Sequence, residues 1–306
     1  MDGARCVEGS GFRFCADVGV GRAVVPGGGV EPVIAYRGRV YTLGSWGYSD
    51  VREVMLEYAP EDVELLARMV SSSDKGLPLE AVRLLAPVEK PSKLLFVGLN
   101  YRDHAAEVGR EPPPVPDIFA KTPNAVVGPG DPVIVALESS RLDAEVELAV
   151  VIGMPARSVT VEEAGESVWG FLVANDISER GEQLLSGASQ WWRGKSHDTF
   201  APIGPLIVPR TFVKLHEGAK LTLHVSGEML QSGSTTSMVH SPYAIVSYAS
   251  SYTLLEPGDI VATGTPAGVG HSRSPPRYLR HGDIVEACVE GVGCISNTIY
   301  FDAQKV

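Results

Sequence analysis

"LDAEVELAVVIG", Leu142 to Gly153, places an acid at three alternate positions among apolar residues. Read as one β-strand, its period of two puts Asp143, Glu145 and Glu147 on one face and Leu142, Ala144, Val146 and Leu148 on the other. Like charges along one face repel and cost stability unless something cancels them. A hard divalent cation would do so, because Mg²⁺, Mn²⁺ and Ca²⁺ prefer carboxylate oxygens and no Cys/His cluster competes for a softer metal. The plainer alternative is a solvated edge strand.

The rest of the chain suits a folded domain built around such strands. Its 306 residues are 44% hydrophobic and 21% charged, enough to bury a full core and too apolar for disorder. A net charge of −11 excludes a nucleic-acid backbone as the natural partner, which would need clustered Lys and Arg. No apolar run reaches the ~18–20 residues that span a bilayer. The first residues carry acids where a signal peptide would carry a basic start and an apolar run, so the expected compartment is the cytoplasm. The cysteines Cys6, Cys15, Cys288 and Cys294 form no CxxC pair and read as reduced, mostly buried thiols.

Frequent Gly and Pro cut the chain into short apolar segments, a punctuation that favours strands. In the first 90 residues, "VIAYRGRVYTLG" reads as a hairpin turning at Arg37-Gly38, and "VREVMLEYAPEDVELLARMVSSS" has helical spacing. We therefore expect a small α+β N-terminal domain over residues 1–90 and a mainly β roll over 91–306. Strand candidates in the second part include "PVIVAL", "WGFLVAND", "PIGPLIV", "KLTLHVSG", "DIVATG", "DIVEACVEG" and "CISNTIYF". Two helices stand out there, "SERGEQLLSGAS" and "SPYAIVSYASSY". "GREPPPVPD" is a proline-stiffened loop, either a surface excursion or a cover for a site.

Four further places carry groups that chemistry can use. Asp176 ends the apolar run "GFLVAND", a common ligand position, although with Glu179 it also makes a reasonable capping box. Lys195, in "QWWRGKSHDTF", follows a glycine among bulky aromatics, a setting that desolvates an ammonium. His104 and Glu107 are three apart, so on a helix the carboxylate can orient the imidazole as a general base; the alternative is a helix start capped by Asn100 or Asp103. Gly264-Thr265-Pro266, after an apolar strand, offers N–H groups and a hydroxyl as a carboxylate cradle.

Taken in order, "FVGLNYRDHAAEVG", "EVELAVVIG", "ANDISERGEQ", "WWRGKSHDTFAPIGP", "TTSM" and "LEPGDIVATGTPAGVG" resemble the fumarylacetoacetate hydrolase family, from about Leu94 to Ile299. The resemblance implies that family's mixed β-sandwich roll, assembled as a homodimer. It implies Mg²⁺ or Mn²⁺, with Ca²⁺ as a crystal substitute, held by Glu145, Glu147 and Asp176. His104 and Glu107 would be the acid–base dyad, Lys195 would stabilise developing negative charge, and Lys121, Arg180, Gln183 and Thr265 would line the pocket of a 2-oxo acid. Asp143 falls outside the ligand pattern, and Glu179 and Gly181 depart from the residues more usual in relatives. The activity implied first is hydrolysis of a C–C bond in an acylpyruvate. The alternatives are isomerisation or decarboxylation of hydroxy-diene dioic acids or oxaloacetate, and dehydration of 2-keto-3-deoxy sugar acids.

Overall fold

The computed structural model describes residues 6–302 apart from 28, 137–140 and 186–190. The chain forms mixed β-sheets in layers. The larger sheet has twelve strands among the described residues, and its centre is the antiparallel set Ala201–Pro209, Val168–Asn175 and Val146–Ile152. Ile260–Ala262, Leu94–Gly98 and Asp117–Lys121 extend it on one side. On the other, Val18–Val24, Val30–Tyr36 and Arg39–Thr42 continue it. The second, seven-stranded sheet is built on Gly293–Phe301, Ile284–Val289, Lys220–Val225 and Glu228–Ser234.

Alternation along the central strand shows how the layers meet. Val146, Leu148, Val150 and Ile152 pack in one core with Leu221, Leu223, Val285 and Ile295 of the second sheet. Ala149 and Val151 face the other way, into a core with Val54, Met55, Leu66 and Val70. Both faces are therefore covered, and every residue of Val146–Ile152 is buried. A strand so enclosed has no solvated side, which excludes the edge-strand alternative for this stretch.

The covering helices are Val51–Glu57 and Val63–Ser73. The helical spacing read across residues 51–73 is thus divided in two, with Pro60 in the break, where proline lacks the N–H that a continuing helix needs. Asp50 and Glu53 cap the first helix reciprocally. The expected hairpin turns at Arg37 (φ 49°) and Gly38 (φ 78°), the positive-φ pair that suits a two-residue connection between Tyr36 and Arg39. Trp169 Nε1 donates to Tyr58 O at 2.9 Å and ties the helical layer to the sheet. The N-terminal strands join both sheets: Val20 pairs with Ile207, and Phe12 with Ile295.

Three expectations are corrected. First, residues 142–152 are two strands, Leu142–Asp143 on Ser178–Glu179 and Val146–Ile152 on Val168–Asn175, with a break at Ala144-Glu145. The Asp143 carboxylate makes that break by accepting the next N–H, from Ala144, at 2.9 Å. Second, the cysteines are disulfide-bonded, Cys6 to Cys15 and Cys288 to Cys294. Antiparallel register places Cys288 directly opposite Cys294. Third, the helix after Asp176 spans only Arg180–Gln183, and Glu179, not Asp176, is its N-cap. Residues 186–189 of the expected longer helix, and Leu137 of "PVIVAL", lie outside the described residues. The helix Pro242–Tyr252 forms as expected. Among the described residues no helix is long and apolar enough to cross a membrane.

Candidate active site

The site lies where the central strands of the large sheet end. Glu145 and Glu147 flank the start of Val146–Ile152, and Asp176 directly follows Val168–Asn175. Because these strands are antiparallel neighbours, the start of one meets the end of the other, and Asp176 N–H donates to Glu145 O at 2.9 Å. The three carboxylates are buried, and one oxygen from each lies within 4.8 Å of the others.

Cations surround this triad unevenly. Lys195, at the end of the helix Trp191–Lys195, donates to Glu145 Oε2 at 3.0 Å, to Ser178 Oγ at 2.8 Å and to Asp176 Oδ2. Its ammonium sits 5.2 Å from the centre of the Phe119 ring, an aromatic contact supplied by the strand Asp117–Lys121 and not by its sequence neighbours. Arg180 donates to Glu145 Oε1, to Asp143 and to Gln183 Oε1. Burial works to raise the Glu145 carboxyl, but Arg180 and Lys195 outweigh it and hold it well below the usual carboxylate range. Lys195 in turn is held above the ordinary lysine value, since Asp176 and Glu145 outweigh its burial.

Glu147 differs. Its Oε2 accepts the Gly264 N–H at 2.7 Å, and it has no ion pair among the described residues. Burial, then the charges of Asp176 and Glu145, push its carboxyl well above the ordinary range. Lys121 Nζ lies 2.5 Å from Asp176 Oδ1 in a buried ion pair and also donates to Ile177 O and Phe200 O. Burial, opposed by Asp176, brings Lys121 down to about 8. Three buried carboxylates with an oxygen of each within 4.8 Å of the others, one of them, Glu147, without an ion pair among the described residues, fit a divalent metal with oxygen ligands.

His104 also lines the cavity. His104 and Glu107 share a face of the helix Arg102–Glu107, and Nδ1 lies 3.1 Å from Glu107 Oε2. Glu107 Oε1 accepts the Gly268 N–H at 2.9 Å and so fastens this helix to the loop after Ile260–Ala262. Neither Asn100 nor Asp103 caps the helix. Asn100 instead bonds Thr263 O and His240. The cavity, of about 240 Å³, is lined by the triad, His104, Lys195, Arg180, Gln183 and Thr265, with Phe119, Leu184, Trp191 and Val269 as apolar wall.

Several sequence assignments look different in place. The Gly264 cradle receives a carboxylate, but the protein's own, from Glu147. Thr265 Oγ1 donates to Val146 O and accepts from Gln231 Nε2 at 2.8 Å, so its hydroxyl stabilises the start of the strand that carries Glu147. Lys121 is buried beneath Asp176 and does not line the cavity. Two residues escaped sequence reasoning, and a third, Asp143, was read there only as lying outside the ligand pattern. Gln231 braces Val146 N–H and Thr265 from the second sheet. Asp143 is buried against Arg180 and the Gly270 and His271 N–H groups. His271 lines the cavity, its basicity lowered by burial and then by Arg180. Of these only Asp143 had a signal, its place beside the two glutamates.

Residues 93–300 match the family described as fumarylacetoacetate (FAA) hydrolase, C-terminal. An oxaloacetate tautomerase of Bos taurus, named as mitochondrial, is 40% identical over 244 residues, which is 80% of this chain and 78% of that protein. A probable 2-hydroxyhepta-2,4-diene-1,7-dioate isomerase from Mycobacterium abscessus is similar in structure with a TM-score of 0.77 at 32% identity, covering 93% of this chain and 99% of the other. A fumarylpyruvate hydrolase from Pseudomonas aeruginosa, in complex with Mn²⁺ and pyruvate, has a TM-score of 0.63 at 32% identity, covering 71% of this chain and 91% of the other.

Proposed function

Since the chain belongs to the fumarylacetoacetate hydrolase family, we propose that it is a divalent-metal-dependent tautomerase of a 2-oxo acid of the oxaloacetate class, interconverting its keto and enol forms. The observation that carries this reading is that His104, paired with Glu107, and a hard-cation triad line one small cavity. Such an arrangement suits moving a proton between C3 and the C2 oxygen, and isomerisation needs no other reactant. The bovine relative, by its name, acts on oxaloacetate.

Glu145, Glu147 and Asp176 would hold the cation. When bound, it supplies Lewis-acid stabilisation of negative charge at the 2-oxo oxygen. The residues of this chain do the rest. With its Nδ1–H donated to Glu107, His104 keeps Nε2 free as the base that takes a proton from C3 and delivers one to the C2 oxygen, and runs the same transfer in reverse for ketonisation. Lys195, kept protonated by Asp176 and Glu145, brings positive charge to the oxygen on which charge develops. Phe119, Leu184, Trp191 and Val269 reduce water around the reacting carbon. Arg180 and Gln183 act here through each other and Glu145, holding that carboxylate in place.

The test is the ultraviolet absorbance of enol-oxaloacetate with Mn²⁺- or Mg²⁺-loaded protein. Decay faster than in buffer, lost on chelation, supports the reading. A metal-loaded protein that leaves the decay rate unchanged sinks it. The hydrolase reading has its own support in the Pseudomonas aeruginosa neighbour, because the same dyad can activate water; pyruvate release from acetylpyruvate would establish that reading instead. A homodimer completes the proposal, the assembly resting on the family resemblance.

A further inference from the structure

We propose that Arg110 selects substrates carrying a second carboxylate, by pairing with the anionic group at the end of the 2-oxo acid remote from the metal triad. The assignment rests on the tautomerase reading above for its substrate head, and it concerns a residue to which that reading gives no role.

The argument starts from the positive charges around the cavity. Lys195 is engaged by Glu145, Asp176 and Ser178, and Arg180 by Asp143, Glu145 and Gln183. His104 faces Glu107, and burial favours the neutral form of His271, whose Nδ1 lies 2.8 Å from Tyr278 Oη. Arg110 alone among the described cationic residues of the cavity wall has no carboxylate partner and no side-chain hydrogen bond. It is exposed, so it stands at the mouth. The same wall also carries the apolar Val108, Phe119, Leu184, Trp191 and Val269. The cavity thus combines a site for a metal-chelating head with a guanidinium that no carboxylate among the described residues engages.

Its position is set by the same helix that carries the dyad. That helix ends in a Schellman motif: Gly109, at φ 69°, donates its N–H to Ala106 O at 3.1 Å, and the Arg110 N–H reaches back to Ala105 O at 2.9 Å. Glycine is needed at that left-handed position. Three residues on, Pro113 O lies 3.1 Å from His240 Nε2, anchoring the proline-stiffened loop. The Arg110 backbone is therefore held in fixed relation to His104 and Glu107, and a guanidinium so placed suits a carboxylate better than a lysine would, because it can form two parallel bonds.

The experiment compares two non-enolisable ligands that differ only in the remote group, 3,3-dimethyloxaloacetate and 3,3-dimethyl-2-oxobutyrate, by titration calorimetry on the Mn²⁺-loaded protein. The wild type should bind the diacid about 10-fold or more tightly than the monoacid, as expected for one charge-assisted contact. Arg110→Ala should remove that preference and leave monoacid binding within about 2-fold, and Arg110→Lys should keep part of it. Equal weakening of both ligands, or undiminished diacid preference in Arg110→Ala, overturns the assignment. Because neither ligand has a C3 proton to move, failure of the tautomerase reading is recorded separately, in the enol decay rate of the wild type.

Discussion

Asp143 Oδ2 accepts hydrogen bonds from both Nε and Nη2 of Arg180, at 3.1 and 2.9 Å, with both side chains buried. Its other oxygen accepts the Gly270 N–H at 2.9 Å, so one carboxylate joins the strand break, the triad's arginine and the loop after residue 264. Asp143→Ala should strand part of the buried guanidinium charge and cost about 3 kcal/mol or more. In urea unfolding the midpoint should fall with an unchanged slope. A change below about 0.5 kcal/mol would mean that the pair only decorates the site. Gly270→Ala should act in the same direction, because a Cβ there would meet Arg277 O at 2.0 Å and Asp143 Oδ1 at 2.7 Å.

Much of this centre was legible because local patterns carry it. Glu145, Glu147 and Asp176 stand out as acids embedded in runs so apolar that water is an implausible partner, and His104 and Glu107 meet through helical spacing alone. Asp143 was misplaced for a specific reason: parity arguments assume an unbroken strand, and its own side chain breaks this one. The cysteine pairs depend on register between strands. Cys288 and Cys294 are opposite only because the hairpin Ile284–Val289 with Gly293–Phe301 turns where it does, and spacing in sequence does not reveal that. Gln231 comes from the other sheet, some 85 residues from the Val146 it braces, and only the tertiary fold brings them together.

Replacing the dyad should separate chemistry from metal binding. His104→Ala removes the base and Glu107→Gln weakens its orientation, and each should lower kcat by about 100-fold or more. Neither residue belongs to the triad, so Mn²⁺ affinity by calorimetry should stay near the wild-type value. Glu107→Gln keeps an acceptor for the Gly268 N–H, whereas Glu107→Ala loses it and should also loosen the helix. That difference should appear as faster amide exchange over residues 102–107 in Glu107→Ala only.

Acid stability should carry a contribution from Asp283. Burial works to raise its carboxyl, but hydrogen bonds from Arg277, the Arg280 N–H and Ser226 outweigh that and hold it below its ordinary 3.8. A carboxyl depressed in the folded state adds stability above the unfolded value and loses it as pH falls through the folded value. Wild type and Asp283→Asn should therefore differ most at neutral pH, and the difference should shrink below about pH 4. Thermal unfolding of both proteins between pH 3 and pH 7 measures it; a gap that widens in acid contradicts the sign.

Unequal partners within the triad lead to a sharper test of the metal. Glu147 has no ion pair among the described residues, and glutamine at that position keeps an acceptor for the Gly264 N–H, so Glu147→Gln should change metal-free stability by less than about 1 kcal/mol. Glu145 answers to Arg180 and Lys195, and Glu145→Gln should cost the metal-free protein about 3 kcal/mol. Mn²⁺ at 100 times its dissociation constant should stabilise the wild type by about 2.7 kcal/mol. Both variants should lose that gain, because each removes one of the three charges that hold the cation. Glu147→Gln is the informative member of the pair: a protein as stable as wild type without metal, yet unmoved by Mn²⁺, assigns the loss to coordination and not to folding. If Mn²⁺ stabilises Glu147→Gln as much as wild type, the cation binds elsewhere and the site built on these three carboxylates fails.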